Sequence, residues 1–447
     1  MEALTRENAA LRARVAELEA KLGENSTNSG KPPSSDAPGT RPGKAPSGKQ
    51  RGGQPGHKPY KRVLLPPEKV TRRTRVAPKR CACCGGRRLA ETDETRVHQV
   101  VEIPEAKPDV HEITMHGARC RDCGETSFAS LPPGIPAHMF GPRLLALISY
   151  LLVSKMSRRQ VQEVLVEVFG IPVSLGALSD SEQRASLAVA PAVDAAVAYA
   201  RAQPVKHFDG SNWRLGGAMR GLWTIATSLV TVFFVTANSA RDTIEPLLGT
   251  LSGLLVTDRG SQFGFWAMER RQVCWAHLVR KFVAFAERGD EGAELGRHLL
   301  LFSQVMLADW HRVRDGTLSR HAFQGRMTAV QTAIENLLAR GVELRLRGLS
   351  GSCEDMLLHR GALFTFVREA GVEPTNNHAE RALRPFVLWR KTSYGSQSER
   401  GCLFAARMMT VAQTLRQQRR PVFTFLVDAC RAAQHRLPIP SLLPVMS

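Results

Sequence analysis

Three carboxylates occupy positions where charge is costly. Asp209 interrupts the strand-like run HFDGSNW, and Asp258 ends the apolar run LLVTD. A carboxylate at either place costs free energy unless it is solvated, paired or on a metal. Glu380, in PTNNHAERALR, opens a helical pattern. There Asn377 and Glu380 have capping-box spacing, and Glu380 and Arg384 have the i, i+4 spacing of an ion pair. Taken singly, each acid has a structural role available. Two Asp on neighbouring strands and a Glu on a later helix can instead converge on two divalent ions. Such a pair activates a water or a DNA 3′-hydroxyl and stabilises the leaving oxygen in phosphoryl transfer. Hard oxygen ligands with no nearby thiolates suit magnesium or manganese.

A second chemistry lies in the cysteines. Of nine, four form Cys81-x-x-Cys84-Gly and Cys120-x-x-Cys123-Gly, with 35 residues between the pairs. Each turn presents two thiolates to one ion, so the two pairs predict a closed, structural four-thiolate zinc site. Flanking basic residues lower the thiol pKa and favour binding. Cys83 offers a competing ligand, but the spacing to the following Gly favours Cys84. A redox CxxC fits poorly with two pairs, and disulfides fit poorly with an odd count in an apparently cytosolic chain. Cys274 and His277, in CWAH, also have ligand-like spacing, but no partner pair is near in sequence. His277 therefore reads as an orienting or phosphate-contacting group near the acids.

These residues need elements to hold them. Leu4, Asn8, Leu11, Val15, Leu18 and Leu22 are spaced 4, 3, 4, 3, 4. This is a heptad seam, predicting a zipper-like helix over residues 1–24 that needs a partner chain, hence a homo-oligomer. Residues 25–60 are rich in Gly, Pro, Ser and Lys and predict a disordered basic linker. Residues 61–132 predict a small β-rich zinc-binding domain. Residues 133–200 are helical by periodicity; SRRQVQEVLVEVFG, the break IPVS and LGALSDSEQRASLAVA read as helix, turn, helix. Such a pair can dock in a major groove, although adjacent amphipathic helices occur in any fold. From Val205 the pattern switches to three strands, a helix and the strand GLLVTD, predicting an α/β core with a mixed sheet over residues 201–400. Helices return over about 285–372, and again over 401–447.

Charge and length set the class. Lys plus Arg is 61 and Asp plus Glu is 41, a surplus of +20, with a pI near 10.1. Between Arg41 and Arg80 there are 13 Lys or Arg against one acid, Glu68. Charge so concentrated favours a phosphate-contacting arm over a solvated linker, and nucleic acid as the partner. Hydrophobic residues at 43% are enough for a sizeable core and exclude global disorder. The longest near-apolar run, Leu144 to Val153, is 10 residues, where a membrane span needs about 20. The opening MEALTREN lacks the regions of a signal peptide, so a cytoplasmic location is expected.

The zipper, NSTNSGKPPSSD, the CxxC pairs, CWAHLVRKF and PTNNHAERALRPFVLWRKTSYGS occur in that order. Together they resemble bacterial transposases of the insertion-sequence-66 family, from about residue 4 to the C-terminal helices. The resemblance implies a ribonuclease-H-like DDE catalytic domain with Asp209, Asp258 and Glu380 at the acidic positions. It also implies a long helical insertion between the second and third acids, here 380 − 258 = 122 residues. The family pattern around the first acid is Asp-Glu-Thr-Gly-Trp, where this chain has Asp209-Gly210-Ser211-Asn212-Trp213. A side chain next to Asp209 in a strand points to the other face, so Gly210 need not abolish metal binding. Arg381, Arg384, Arg390 and Lys391 surround Glu380, and are either DNA-backbone contacts or a solvated, acid-paired face.

The implied activity is a nucleoid-associated transposase. It binds the ends of a mobile element, cuts and joins double-stranded DNA with magnesium or manganese, keeps zinc for structure, and draws on accessory proteins of the element. Two rivals accompany this reading. A nuclease of the same fold would cut without joining; a transposase-derived DNA-binding protein with a dead centre would do neither, and Gly210 is the feature that points to it.

Overall fold

The computed structural model describes Val15 and residues 63–443. The expected zipper and linker therefore lie outside the described residues, Val15 apart. The chain divides into two compact units, residues 41–109 and the remainder.

In the smaller unit, residues 63–109 form a single 3-10 turn, Pro67–Lys69, and no strand. The Gln99 amide holds both backbone groups of Leu65, accepting from its N–H at 2.7 Å and donating to its carbonyl at 3.0 Å. The expected β-rich character is thus not found here. Val76, Val100 and Ile103 are exposed, so no apolar face drives strand pairing. The one ladder before the helices is a hairpin in the larger unit, β1 (Gly117–Arg119) with β2 (Thr126–Phe128).

The larger unit continues with α1 (Pro142–Val153), α2 (Arg158–Phe169) and α3 (Leu175–Ala202). Helix α2 starts on a reciprocal Ser157–Gln160 capping box and stops at left-handed Gly170. Arg158 donates to both carboxylate oxygens of the buried Glu182, at 2.5 and 2.7 Å, locking α2 onto α3. Helices α2 and α3 thus form a packed pair.

Strands β3 (Val205–Leu215), β4 (Ala218–Ala226) and β5 (Thr231–Thr236) follow, then α4 (Arg241–Leu248), β6 (Leu254–Thr257) and β7 (Arg271–Val273). The sheet order is β5-β4-β3-β6-β7. Strands β3, β4 and β5 are an antiparallel meander, while β6 and β7 run parallel to β3. The β3–β4 loop is the two-residue pair Gly216-Gly217, both at positive φ, which matches the twist of a tight hairpin. This is the mixed sheet that the sequence predicts.

After β7 the described residues are mostly helical as far as His435. α5 (Trp275–Ala286), α6 (Gly292–Arg314), α7 (Arg320–Glu343), α8 (Ser350–Leu358) and two short helices, Arg360–Leu363 and Thr365–Arg368, form the insertion. α9 (Asn377–Ser393), α10 (Glu399–Gln417) and α11 (Val422–His435) close the fold. There are two cores. One joins the sheet to α1, α3, α10 and α11, and holds Phe208, Trp213 and Trp223. The other starts from Val256 and Val273 on the sheet and gathers Trp275, Phe282, Phe323 and Phe366 of the insertion.

The β5 edge is covered rather than left open. The Thr414 hydroxyl accepts from Thr231 N–H (3.1 Å) and donates to Thr231 carbonyl (2.8 Å), and the Thr410 hydroxyl accepts from Phe233 N–H (3.0 Å). Helix α10 thus replaces a sixth strand. Thr414→Val keeps the shape but leaves buried backbone groups unpaired, and is expected to cost about 1–3 kcal/mol in urea unfolding.

Candidate active site

Asp209 and Asp258 come together through strand register. Parallel pairing sets His207 beside Val256, and two residues further along, Asp258 follows β6 beside Asp209. Asp258 sits in a braced turn. Its Oδ1 accepts from Gly260 N–H at 2.9 Å, and its carbonyl accepts from the buried Arg271 guanidinium at 3.2 Å. Arg271 also donates to the Thr257 hydroxyl at 3.3 Å.

Glu380 reaches the same place through Asn376. This buried side chain donates to Phe208 carbonyl (2.9 Å) and its Oδ1 meets His207 Nδ1 (3.2 Å), while its backbone N–H donates to Cys274 Sγ (3.1 Å). With the amide NH2 given to Phe208, Oδ1 must accept, so His207 Nδ1 carries the proton. Trp275 N–H donates to Pro374 carbonyl at 2.9 Å and fixes the approach to the turn. The capping box expected from Asn377 does not form. Asn376 is the N-cap, Asn377 is the first helical residue, and no side chain caps the helix. The Glu380–Arg384 ion pair does not form either: Glu380 Oε1 lies 3.7 Å from His277 Nδ1 and 4.0 Å from Cys274 Sγ. Tertiary partners outcompete the local ones. The sequence places no thiolate near the acids; the structure sets the Cys274 thiol 4.0 Å from Glu380.

The electrostatics register the convergence. Removal from water pushes the Asp209 carboxyl up to about 8; the Gly210 N–H opposes this, the charges of Glu380 and Asp258 add to it, and Arg280 counters them. Among the described residues neither Asp209 nor Asp258 has an ion-pair partner. Burial, with the cationic forms of His378 and Arg381 opposing a second charge, takes His207 down to about 4, against the help of Asn376. Burial and Arg280 likewise hold His277 below its usual range, against Glu380 and Asp258. Burial pushes the Cys274 thiol up to about 11.

Gly210 lies on the other face of β3. A Cβ there would meet the Trp223 ring at 2.4 Å, because Trp223 is its cross-strand partner and stacks on Phe208 with centroids 5.1 Å apart. The indole fills the space a side chain at position 210 would need, away from Asp209.

Of the four basic residues around Glu380, Arg381, Arg384 and Lys391 are exposed on α9, and among the described residues none has a hydrogen-bond or ion-pair partner. Arg390 is different. Its guanidinium donates to the Ser211 hydroxyl at 3.2 Å and to Asn212 carbonyl, bracing α9 on β3. Arg381 also lines a cleft of about 760 Å³ with His207, His311, Arg314 and Glu373, which the three acids do not line.

The two CxxC turns share one local geometry. Cys81 N–H donates to Gly86 carbonyl (2.8 Å) and Gly85 N–H to Cys81 carbonyl (2.9 Å); Cys120 N–H donates to Glu125 carbonyl (2.8 Å) and Gly124 N–H to Cys120 carbonyl (3.1 Å). The Cys81 thiol is held below its ordinary value chiefly by Cys84 N–H, then by Cys83 N–H and the Cys84 thiol; Cys120 is held down by Cys123 and Asp122 in the same way. Cys84, not Cys83, occupies the position that Cys123 holds in the second turn.

Sequence reasoning passed over Asn376, His207, Arg271 and Arg280, and set aside Cys274. The spacing of CWAH was the available signal for Cys274 and His277; the others act only through tertiary contacts. Asn376→Ala is expected to cost about 1–3 kcal/mol for each buried group it leaves unpaired, read by urea unfolding. Gly210→Ala overpacks against Trp223, expected to cost about 1–3 kcal/mol. A double-mutant cycle with Trp223→Ala should recover most of that loss; additive effects would place the indole elsewhere.

A family model described as "Transposase IS66 family" matches residues 137–403. Another, "zinc-finger binding domain of transposase IS66", matches residues 78–124, and a "Family of unknown function (DUF6444)" matches residues 2–63. The chain is also similar to two proteins of Sinorhizobium fredii (strain NBRC 101917 / NGR234). It is 25% identical to "Uncharacterized protein y4hP" over 395 residues, 80% of this chain and 71% of the relative. It is 27% identical to "Uncharacterized protein y4qI" over 186 residues, 39% of this chain and 34% of the relative. The family match spans the sheet, the insertion and the helix bearing Glu380. The chain belongs to the IS66 transposase family.

Proposed function

We propose that this chain binds the ends of a mobile element and performs metal-dependent DNA cleavage and strand transfer. The observation that carries the proposal is the buried Asp209 carboxyl on β3, reached by the charges of both Glu380 and Asp258. The sheet order β5-β4-β3-β6-β7, an antiparallel meander followed by two parallel strands, supports a ribonuclease-H-like core. The helices between β7 and Glu380 support the reading of residues 285–372 as its insertion.

Asp209, Asp258 and Glu380 would hold magnesium or manganese. When bound, such ions activate a water or 3′-hydroxyl and stabilise the leaving oxygen. The protein's own part is positioning. Arg271 and Gly260 hold the Asp258 turn, and Asn376 fixes the start of α9 against β3. His277, its charge disfavoured, faces Glu380 at 3.7 Å. Arg381, Arg384 and Lys391 offer unpaired cations to the phosphate backbone, a role Arg390 shares only in part because it braces β3. Cys81, Cys84, Cys120 and Cys123 would hold a structural zinc, supported by the matched geometry of the two turns and by the zinc-finger match across both. No helix of the described residues is long and apolar enough to cross a membrane. The basic surplus supports double-stranded DNA as the partner. Homo-oligomerisation through residues 1–24, accessory proteins of the element and a nucleoid location complete the proposal.

The inactive-copy reading rests on Gly210. Its position under Trp223, on the face away from Asp209, supports an active centre instead.

Supplied with end-containing DNA and magnesium, the wild-type chain is expected to give both cut and joined products on sequencing gels. Asp258→Asn and Glu380→Gln should each lower both by more than about a thousandfold while DNA binding persists. Cutting without joining would select the nuclease; binding without cutting would select the inactive protein. In a separate metal analysis, Cys84→Ser is expected to lose the structural zinc and Cys83→Ser to keep it.

A further inference from the structure

Cys274, His277 and Glu380 bring three different ligand types to one point. Cys274 Sγ, His277 Nδ1 and a Glu380 oxygen all lie within 4.8 Å of one another. The individual separations are 4.0 Å for Sγ to Oε1 and 3.7 Å for Nδ1 to Oε1. Tetrahedral zinc, with Zn–S of ~2.3 Å and Zn–N and Zn–O of ~2.0 Å, places such atoms about 3.3–3.5 Å apart. A contraction of roughly half an ångström or less brings both separations to Glu380 to tetrahedral values.

The local fold accounts for part of the cluster without an ion. Cys274 ends the segment from β7 and accepts Asn376 N–H, which explains a buried sulfur at that place. It does not explain His277. His277 Nδ1 is buried, has no hydrogen-bond partner, and points at Glu380 from beyond hydrogen-bonding range. An orphaned buried ring nitrogen facing a carboxylate and a sulfur is what a ligand set looks like before its ion. The side chains of His277 and Glu380 are 37% and 33% exposed, which gives an ion a route in and leaves its fourth position to water.

From this geometry we infer that Cys274, His277 and Glu380 form a binding site for a thiophilic divalent ion of the zinc class. The site is separate from the CxxC pairs and shares Glu380 with the acidic centre. Binding ionises the Cys274 thiol, whose proton goes to solvent, and forms the sulfur–metal bond. Thiolate, imidazole and carboxylate together select zinc or cobalt over magnesium. Magnesium at the acids and zinc at this site compete for one carboxylate. That competition, unlike the binding itself, rests on the function proposed above.

The test is cobalt(II) titration of the full chain with its CxxC pairs already loaded with zinc, followed by absorption spectroscopy. The wild type is expected to take up one cobalt equivalent with a thiolate-to-cobalt charge-transfer band. Cys274→Ser should lose the band, and His277→Ala, at a partly exposed position, should weaken uptake by more than about tenfold. Asp209→Asn should keep both band and uptake even where it abolishes DNA cleavage, which separates this inference from the catalytic reading. No band in the wild type, or a band that survives in Cys274→Ser, would overturn it. Should Cys274→Ser fail to fold, unchanged uptake by His277→Ala would overturn it equally.

Discussion

The turn before α9 is held by one side chain. Asn376 donates to the carbonyl of Phe208, the residue before Asp209, meets the ring of His207, and gives its backbone N–H to Cys274. A single buried amide thereby ties the third segment of the site to β3 and to the end of β7. Glu380 is one helical turn further on, so its position follows from that clamp. Because Asn376 is buried, none of these bonds competes with bulk water, and losing one leaves a partner unsatisfied. The long insertion can then be any shape that returns the chain to Pro374. It does so with its own core, built onto Val256 and Val273, rather than by borrowing the core beneath the sheet.

Much of this was legible in the sequence, for identifiable reasons. The strands at Val205, Ala218 and Thr231 carry β-branched and aromatic residues between turn signals, and the parallel strand before Asp258 is short, apolar and buried as such strands are. The cost of a carboxylate at Asp209 and Asp258 singled those residues out, and the charges of Asp258 and Glu380 both reach the buried Asp209. What failed was local pattern set against tertiary contact. Asn377 and Arg384 had the right spacings for a cap and an ion pair, yet Asn376 takes the N-cap position with its side chain turned to β3, and Glu380 faces His277 and Cys274. The β-rich character expected of residues 61–132 is confined to the β1–β2 hairpin for a different reason. The apolar residues of 63–109 that would pair strands, such as Val76, Val100 and Ile103, are exposed and offer no face to bury.

Gly210 shows how one position reads differently in the two descriptions. In sequence it is a missing acid next to Asp209. In the fold it is the space that Trp223 occupies, stacked on Phe208 and edge-on to Phe263. Asp209 points to one face of β3 and the packing of this indole belongs to the other, so the departure from the family pattern is a matter of core volume. Arg390 makes a complementary point: a basic residue beside an acidic centre serves here to hold a strand.

The central claim is that Asp209, Asp258 and Glu380 form one divalent-cation site. The most direct measurement is the proton released when magnesium binds, obtained by calorimetry at pH 7 in buffers of different ionisation enthalpy. Asp209 is pushed up to about 8 and is therefore protonated at pH 7 without a cation. Binding must expel that proton, with the release falling as pH rises through the Asp209 value. The release is expected in the wild type and absent in Asp209→Asn. Magnesium binding without proton release, or the same release from Asp209→Asn, would contradict it.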